Sequence, residues 1–182
     1  MPFRTILIVI AVVIVLTMLF GNKKVRVFQV LKNQIKVFKN AKKNKTSIWD
    51  IICFVIFPIV LAVILVIGLD YEINETLAGV LTTVFAFVFT VLFGFAAIIV
   101  GKLDSKNELE KKVVEETFIS IMSATVLSLI SVICSIIVVK IETGWAVSLV
   151  SAIVYSVSIM TIMLLLLVAK RTFIIYDDTT KK

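Results

Sequence analysis

The run Thr76–Gly101 reads TLAGVLTTVFAFVFTVLFGFAAIIVG, and none of its 26 residues carries a charge. A helix of this length measures about 39 Å, which exceeds the roughly 30 Å hydrocarbon core of a bilayer. Ile48–Leu69, Thr117–Val139 and Trp145–Ala169 are three further apolar runs of spanning length. The residues are 60% hydrophobic and the mean hydropathy is +1.13. Such composition predicts an all-α integral membrane protein, since no soluble core hides so much apolar surface.

A fifth apolar run, Thr5–Phe20, is uncharged but only 16 residues long. A helix of that length crosses about 24 Å, so it needs snorkelling flanks or a locally thinner bilayer. The alternative interpretation is a cleaved signal peptide, because Arg4 precedes the run. The absence of a small-x-small cleavage site favours an uncleaved anchor. We therefore expect a bundle of five transmembrane helices, or four if the first segment is cleaved.

Cations divide the connectors into two classes. Residues 21–47, 102–116 and 170–182 contain nine, four and four Lys or Arg, whereas residues 70–75 contain none and residues 140–144 contain one. The charge rule for membrane proteins places the three cation-rich connectors in the cytoplasm. This predicts a multi-pass protein of the cell membrane with its N-terminus outside and its C-terminus inside.

These features divide the chain into six segments. They are an N-terminal anchor (1–21), a basic amphipathic segment (22–47), a transmembrane hairpin (48–101), a charged cytoplasmic helix (102–116), a second hairpin (117–169) and a cytoplasmic tail (170–182).

The basic segment has an apolar residue every three or four positions. On a helical wheel the apolar residues form one face, which we predict to contact lipid: Val27, Phe28, Leu31, Ile35 and Phe38. Four lysines occupy the adjacent flank: Lys32, Lys36, Lys39 and Lys43. This pattern predicts a helix in the membrane plane that binds anionic lipid at the cytoplasmic face. A role limited to fixing topology is the alternative. Nucleic-acid binding is disfavoured, because the aromatic residues lie on the apolar face and not among the lysines.

Three spans carry stripes of small residues, which permit close helix contact in lipid. The first hairpin has Gly79, Thr83, Ala86, Thr90, Gly94, Ala97 and Gly101 on one side of its second helix. The second hairpin has Ser120, Ala124, Ser128, Ser131 and Ser135 on one helix, and Ser148, Ser151, Ala152, Tyr155 and Ser158 on the other. One interpretation is that all three stripes pack within one chain. The competing interpretation is that at least one stripe joins subunits or lines a hydrated path.

Two further features concern local structure in the spans. Pro58 lies inside the run 48–69 and predicts a kink or a freed carbonyl acceptor there. Cys53 and Cys134 fall near opposite ends of their helices, so we expect them in opposite leaflets and unable to form a disulfide.

The sequence excludes several classes of chemistry. It contains no His, so no imidazole base, His ligand or His-based triad exists. There is no phosphate-binding glycine loop. The carboxylates of 102–116 alternate with lysines, which is typical of a solvated helix. The span interiors lack ionisable residues, which argues against ion-coupled transport. We therefore expect no catalytic residues, cofactor or metal.

These observations favour a small non-enzymatic bacterial membrane protein. It would form a homo-oligomer or join a partner membrane protein and alter membrane permeability or potential, as a pore or a membrane-perturbing effector of the type used in defence against phage. An accessory or scaffold subunit that docks through 102–116 and the tail is the main alternative. An interfacial lipid-modifying enzyme would have only Asp50, Tyr176 and the carboxylates of 102–116 at its disposal.

Overall fold

The structure is a computed structural model that describes residue 17 and residues 27–38, 47–101, 108–141 and 144–180. These residues form helices and connecting turns, with no strand among them. The predicted first span, Thr5–Phe20, lies outside the described residues except for Thr17.

Five helical elements follow one another in the described part of the chain. They are α1 (Val27–Val37), α2 (Ile48–Gly68), α3 (Glu75–Val100), α4 (Glu108–Val138) and α5 (Trp145–Thr180). Helices α2 to α5 are each long and apolar enough to cross a membrane. The chain is thus a multi-pass membrane protein. We call the end where α4 begins and α5 ends the basal end, and the opposite end the apical end.

Helix α2 is interrupted by two π-helical segments, Ile52–Ile56 and Ile64–Gly68. The first ends two residues before Pro58, and the backbone N–H of Phe57 donates to the carbonyl of Ile52. Proline lacks an N–H and crowds the preceding turn, so a wider turn at this point accommodates it within a continuous helix. The irregularity predicted at Pro58 therefore takes the form of a π-helical turn.

The connector between α2 and α3 is fixed to the apical end of α5. Asp70 has a φ of 52°, which reverses the chain after α2. The buried N–H of Ile73 then donates to Ser151 Oγ at 3.1 Å, and Glu72 accepts a hydrogen bond from Ser148. Asn74 caps α3 by accepting from the N–H of Leu77 at 2.8 Å.

Helices α4 and α5 extend beyond their apolar runs at the basal end. Helix α4 begins at Glu108 and α5 continues to Thr180, so charged residues flank both spans without a break in the helix. The two helices share the most extensive contact in the bundle, and α4 also packs against α1 and α3. Interior packing between α3, α4 and α5 involves Phe85, Leu92, Ile99, Val114, Ile121 and Val168.

Candidate functional site

Helix α3 turns its small residues away from the bundle. All seven members of the predicted stripe are exposed: Gly79, Thr83, Ala86, Thr90, Gly94, Ala97 and Gly101. The opposite side of the helix is buried through large residues such as Phe85, Val88 and Leu92. We call the exposed stripe the α3 small face.

The α3 small face is open along its length. Apart from the adjacent residues and the backbone of its own helical turn, a Cβ atom added at Gly79 or Gly94 would meet no atom within 4 Å. The Thr83 and Thr90 hydroxyls donate to the carbonyls of Gly79 and Ala86 in the same helix, at 3.0 and 3.1 Å. Both hydroxyls are therefore satisfied without a partner helix, and the face is effectively apolar.

Two exposed aromatic residues border this face. Phe87 is 69% exposed and Phe93 58% exposed. At 100° per residue they project about 60° to either side of the stripe. The small residues thus form the floor of a shallow channel between two bulky side chains, a shape into which the side of another helix can pack closely.

The serine stripes of α4 and α5 face each other inside the bundle. Ser131 and Ser158 share a hydrogen bond of 2.8 Å between their Oγ atoms. Ser120, Ala124, Ser128, Ser135 and Ser151 are also buried, whereas Ser148, Ala152 and Tyr155 are partly buried. These two stripes therefore pack against their own chain.

The buried serine hydroxyls of the α4 stripe are engaged in hydrogen bonds. Ser120 donates to the carbonyl of Glu116 at 3.0 Å, Ser135 to that of Ser131 at 2.8 Å, and Ser128 to that of Thr125 at 2.8 Å. Such bonds to the helix backbone replace contact with water. Among the residues that the structure describes, the α4–α5 interface is a packed seam without a row of unpaired serine hydroxyls that would line a hydrated path.

Helix α1 packs against the bundle with part of the side that the sequence assigns to lipid. Val27, Gln34, Val37 and Phe38 are buried, and Leu31 is partly buried. The predicted lipid-contacting residues Phe28 and Ile35 are 67% and 53% exposed, and Lys32 and Lys36 are exposed beside them. The predicted apolar face is therefore divided between the bundle and the exterior. Lys39 and Lys43 lie outside the described residues.

The direction of α1 follows from contacts near its two ends. The carbonyl of Val30 accepts a hydrogen bond from Ser123 of α4 at 3.5 Å. At the other end the rings of Phe38 and Phe54 lie 5.1 Å apart, and the N–H of Ser47 donates to the Phe38 carbonyl at 2.8 Å. Helix α1 thus lies lengthwise along the bundle, with its C-terminal end at the basal start of α2.

An ion pair joins α4 and α5 at the basal end. Arg171 Nη2 lies 3.4 Å from Glu116 Oε2, and both side chains are largely shielded. Asp50 of α2 is close enough to Arg171 to interact electrostatically. The sequence assigned Arg171 to the cytoplasmic tail 170–182 and did not predict this contact. The available signal was the position of Glu116 and Arg171 at the same end of two antiparallel spans.

Among the described residues, no group of three or more Cys, Asp or Glu side chains could hold a metal ion. Cys53 and Cys134 are both free thiols and partly buried.

Comparison of the chain with protein-family models, curated proteins and solved structures returned no match.

Proposed function

We propose that this protein is a non-enzymatic component of the bacterial cell membrane that self-assembles through the α3 small face and alters membrane permeability or potential. The observation that carries the proposal is the exposure of the whole stripe, with open space at Gly79 and Gly94.

Physical chemistry in the bilayer supports assembly at this face. Lipid tails are as apolar as leucine side chains, so no hydrophobic drive brings helices together there. Close approach of backbones provides van der Waals contact in its place, and Gly and Ala permit that approach. A stripe of seven small residues therefore stabilises the protein most when a second helix packs against it. Within the chain α3 instead packs through its opposite side, so a second copy is the proposed partner.

The closed α4–α5 seam supports a path between copies over a path through one chain. The serines that would line such a path are buried and bonded, as in the Ser131–Ser158 pair. A permeability pathway, in this proposal, forms where assembled copies meet or where they disturb the surrounding lipid.

The proposed orientation places the basal end in the cytoplasm. Phe38, Glu116 and Arg171 lie at or near that end and belong to the cation-rich segments 21–47, 102–116 and 170–182, whereas the apical connectors have one lysine between them. The rule that cytoplasmic connectors carry the excess of Lys and Arg supports a cytoplasmic C-terminus and, with a retained first span, an external N-terminus.

The central experiment is the substitution Gly94→Leu. Leucine at this position should hold a second helix away, so we expect a smaller particle in mild detergent, measured by light scattering after size exclusion. Depolarisation by the protein expressed in cells, followed with a potential-sensitive dye, should disappear with it. Because Gly94 is exposed and an added Cβ atom meets open space there, the thermal stability of the monomer should not fall.

Two control variants separate bulk from position. Gly94→Ala keeps the face small and should preserve the assembly. Val84→Leu adds bulk to an exposed residue about 120° away from the face and should leave particle size unaltered. An unchanged particle with Gly94→Leu would refute assembly through this face. A wild-type monomer that co-purifies with another membrane protein would favour the accessory-subunit alternative.

A further inference from the structure

The exterior side of α1 presents cationic and apolar side chains in one row. Phe28, Lys32, Ile35 and Lys36 are all exposed and fall within about 100° on the helix. We call this row the outward stripe of α1. Within the described part of the chain, neither lysine has an ion-pair partner.

The outward stripe extends from the membrane interface toward the membrane interior. Its level in the membrane is set by Phe38, whose carbonyl accepts a hydrogen bond from the N–H of Ser47. Trp49, two residues after Ser47, is exposed, and tryptophan is typical of the membrane–water interface. Lys36 is two residues from Phe38 and thus close to that level. Lys32 is about 6 Å farther toward the apical end, and Phe28 another 6 Å.

Neighbouring structure places this depth inside the apolar part of the bundle. Val30 is bonded to Ser123, which follows Glu116 by seven residues, or about 10 Å of helix. Lys32 lies two residues from Val30, so its backbone is within the zone where α4 presents apolar residues to the exterior. A lysine at such a depth extends its amine back toward the headgroups or draws a headgroup inward.

We infer that the outward stripe of α1 holds an anionic phospholipid, with its phosphate between Lys32 and Lys36 and an acyl chain along Phe28. Lys36, Lys32 and Phe28 follow one another in the order of the charged and apolar parts of a phospholipid. Lysines four residues apart on a helix are neighbours, so both amines reach one phosphate. A headgroup held by Lys32 lies deeper than its neighbours, and this thins the leaflet beside α1.

This inference rests on the proposed function for its setting, because that proposal assigns the basal end to the cytoplasmic leaflet. It adds a ligand, an anionic lipid, and a mechanism by which the protein disturbs the bilayer. Its test uses lipid contact as the readout, which is independent of both particle size and depolarisation.

The test uses the full chain reconstituted in phosphatidylcholine vesicles. Phe28→Trp, in a background with Trp49→Phe and Trp145→Phe, provides a single fluorescent probe on the stripe. Phosphatidylglycerol or phosphatidylcholine brominated on the acyl chains is then added at equal mole fraction. We expect stronger quenching by the anionic lipid, since each lysine close to the lipid raises the association constant of lipid and protein by about fivefold.

Matched double substitutions locate the source of the preference. Lys32→Gln with Lys36→Gln should remove it, and both residues are exposed, so the packing of α1 is retained. Lys111→Gln with Lys112→Gln changes the same charge at exposed basal positions of α4 and should leave the preference intact. Equal quenching by the two lipids with all lysines present would overturn the inference, as would a preference that survives the α1 substitutions or is lost equally in both pairs.

The same samples distinguish this inference from the proposed function. A Gly94→Leu protein that no longer assembles should still show the anionic preference. Loss of the preference in the α1 variant with particle size unchanged supports a lipid site separate from the assembly face. An assembled protein without any lipid preference would refute the lipid site and leave the assembly proposal standing.

Discussion

Gln34 gives the sharpest test of how α1 is attached to the bundle. It is 5% exposed, and both atoms of its side-chain amide are buried without a hydrogen-bond partner in the described part of the chain. A buried polar group that lacks a partner costs about 1–3 kcal/mol, because its bonds to water are lost and not replaced. Burial of Val27, Val37 and Phe38 therefore stabilises the docked α1, and the unpaired amide of Gln34 destabilises it.

Replacing Gln34 with Met removes the amide and keeps an unbranched side chain of similar length. We expect the free energy of α1 undocking to rise by about 1–3 kcal/mol. The population of the undocked state should then fall by about 5- to 150-fold. Gln34→Glu should act in the opposite direction, because a buried carboxylate without a partner is costlier than an amide.

A thiol at Val37 reports the undocked population. Val37 is 8% exposed, so Val37→Cys is labelled by a maleimide only when α1 opens. Cys53 and Cys134 are replaced in this background to leave one reactive thiol. Any effect of the cysteine itself is common to all variants and cancels in their comparison. Labelling of Gln34→Met at the wild-type rate, or faster, would mean that the amide is not the destabilising group described above.

Three further predictions concern the remaining connections. A double-mutant cycle with Ser131→Ala and Ser158→Ala should give a coupling of about 0.5–1.5 kcal/mol in thermal unfolding, and additive effects would contradict the hydrogen bond between them. Asp70→Val should lower the free energy of unfolding by about 1–2 kcal/mol because of the positive φ at this residue, whereas Asp70→Asn should be neutral. Single cysteines in 70–75 or 140–144 should react with an impermeant maleimide in intact cells, and labelling in 102–116 instead would reverse the proposed orientation.

The sequence predicted the four described spans closely because each depends on one strong signal. An uncharged run such as Thr76–Gly101 must satisfy its backbone internally in lipid, and a helix is the simplest way to do so. Helix boundaries were harder to predict where a helix continues beyond its apolar run. Helices α4 and α5 continue into charged sequence, where hydropathy no longer reports on helix formation.

Side-chain partners were less predictable than spans. The wheel for α1 identified the mean apolar direction, but α1 contacts the bundle on one side and the exterior on another, so both sides carry apolar residues. A single average direction cannot separate two apolar faces of one helix. The burial of Gln34 in place of Ile35 was not predicted, because polarity alone would assign the amide to the exterior.

The three small-residue stripes look alike in sequence, yet the structure uses them differently, and the chemistry of their side chains gives a physical reason. Serine can bond across a helix pair, as Ser131 does with Ser158, so a serine seam has a directional term that fixes its register. The threonines of the α3 small face bond their own backbone instead, as Thr90 does with Ala86. Association at that face, as proposed, therefore depends on van der Waals contact alone. Contact of this kind declines steeply with separation, so the interface should tolerate alanine at Gly94 and fail with leucine.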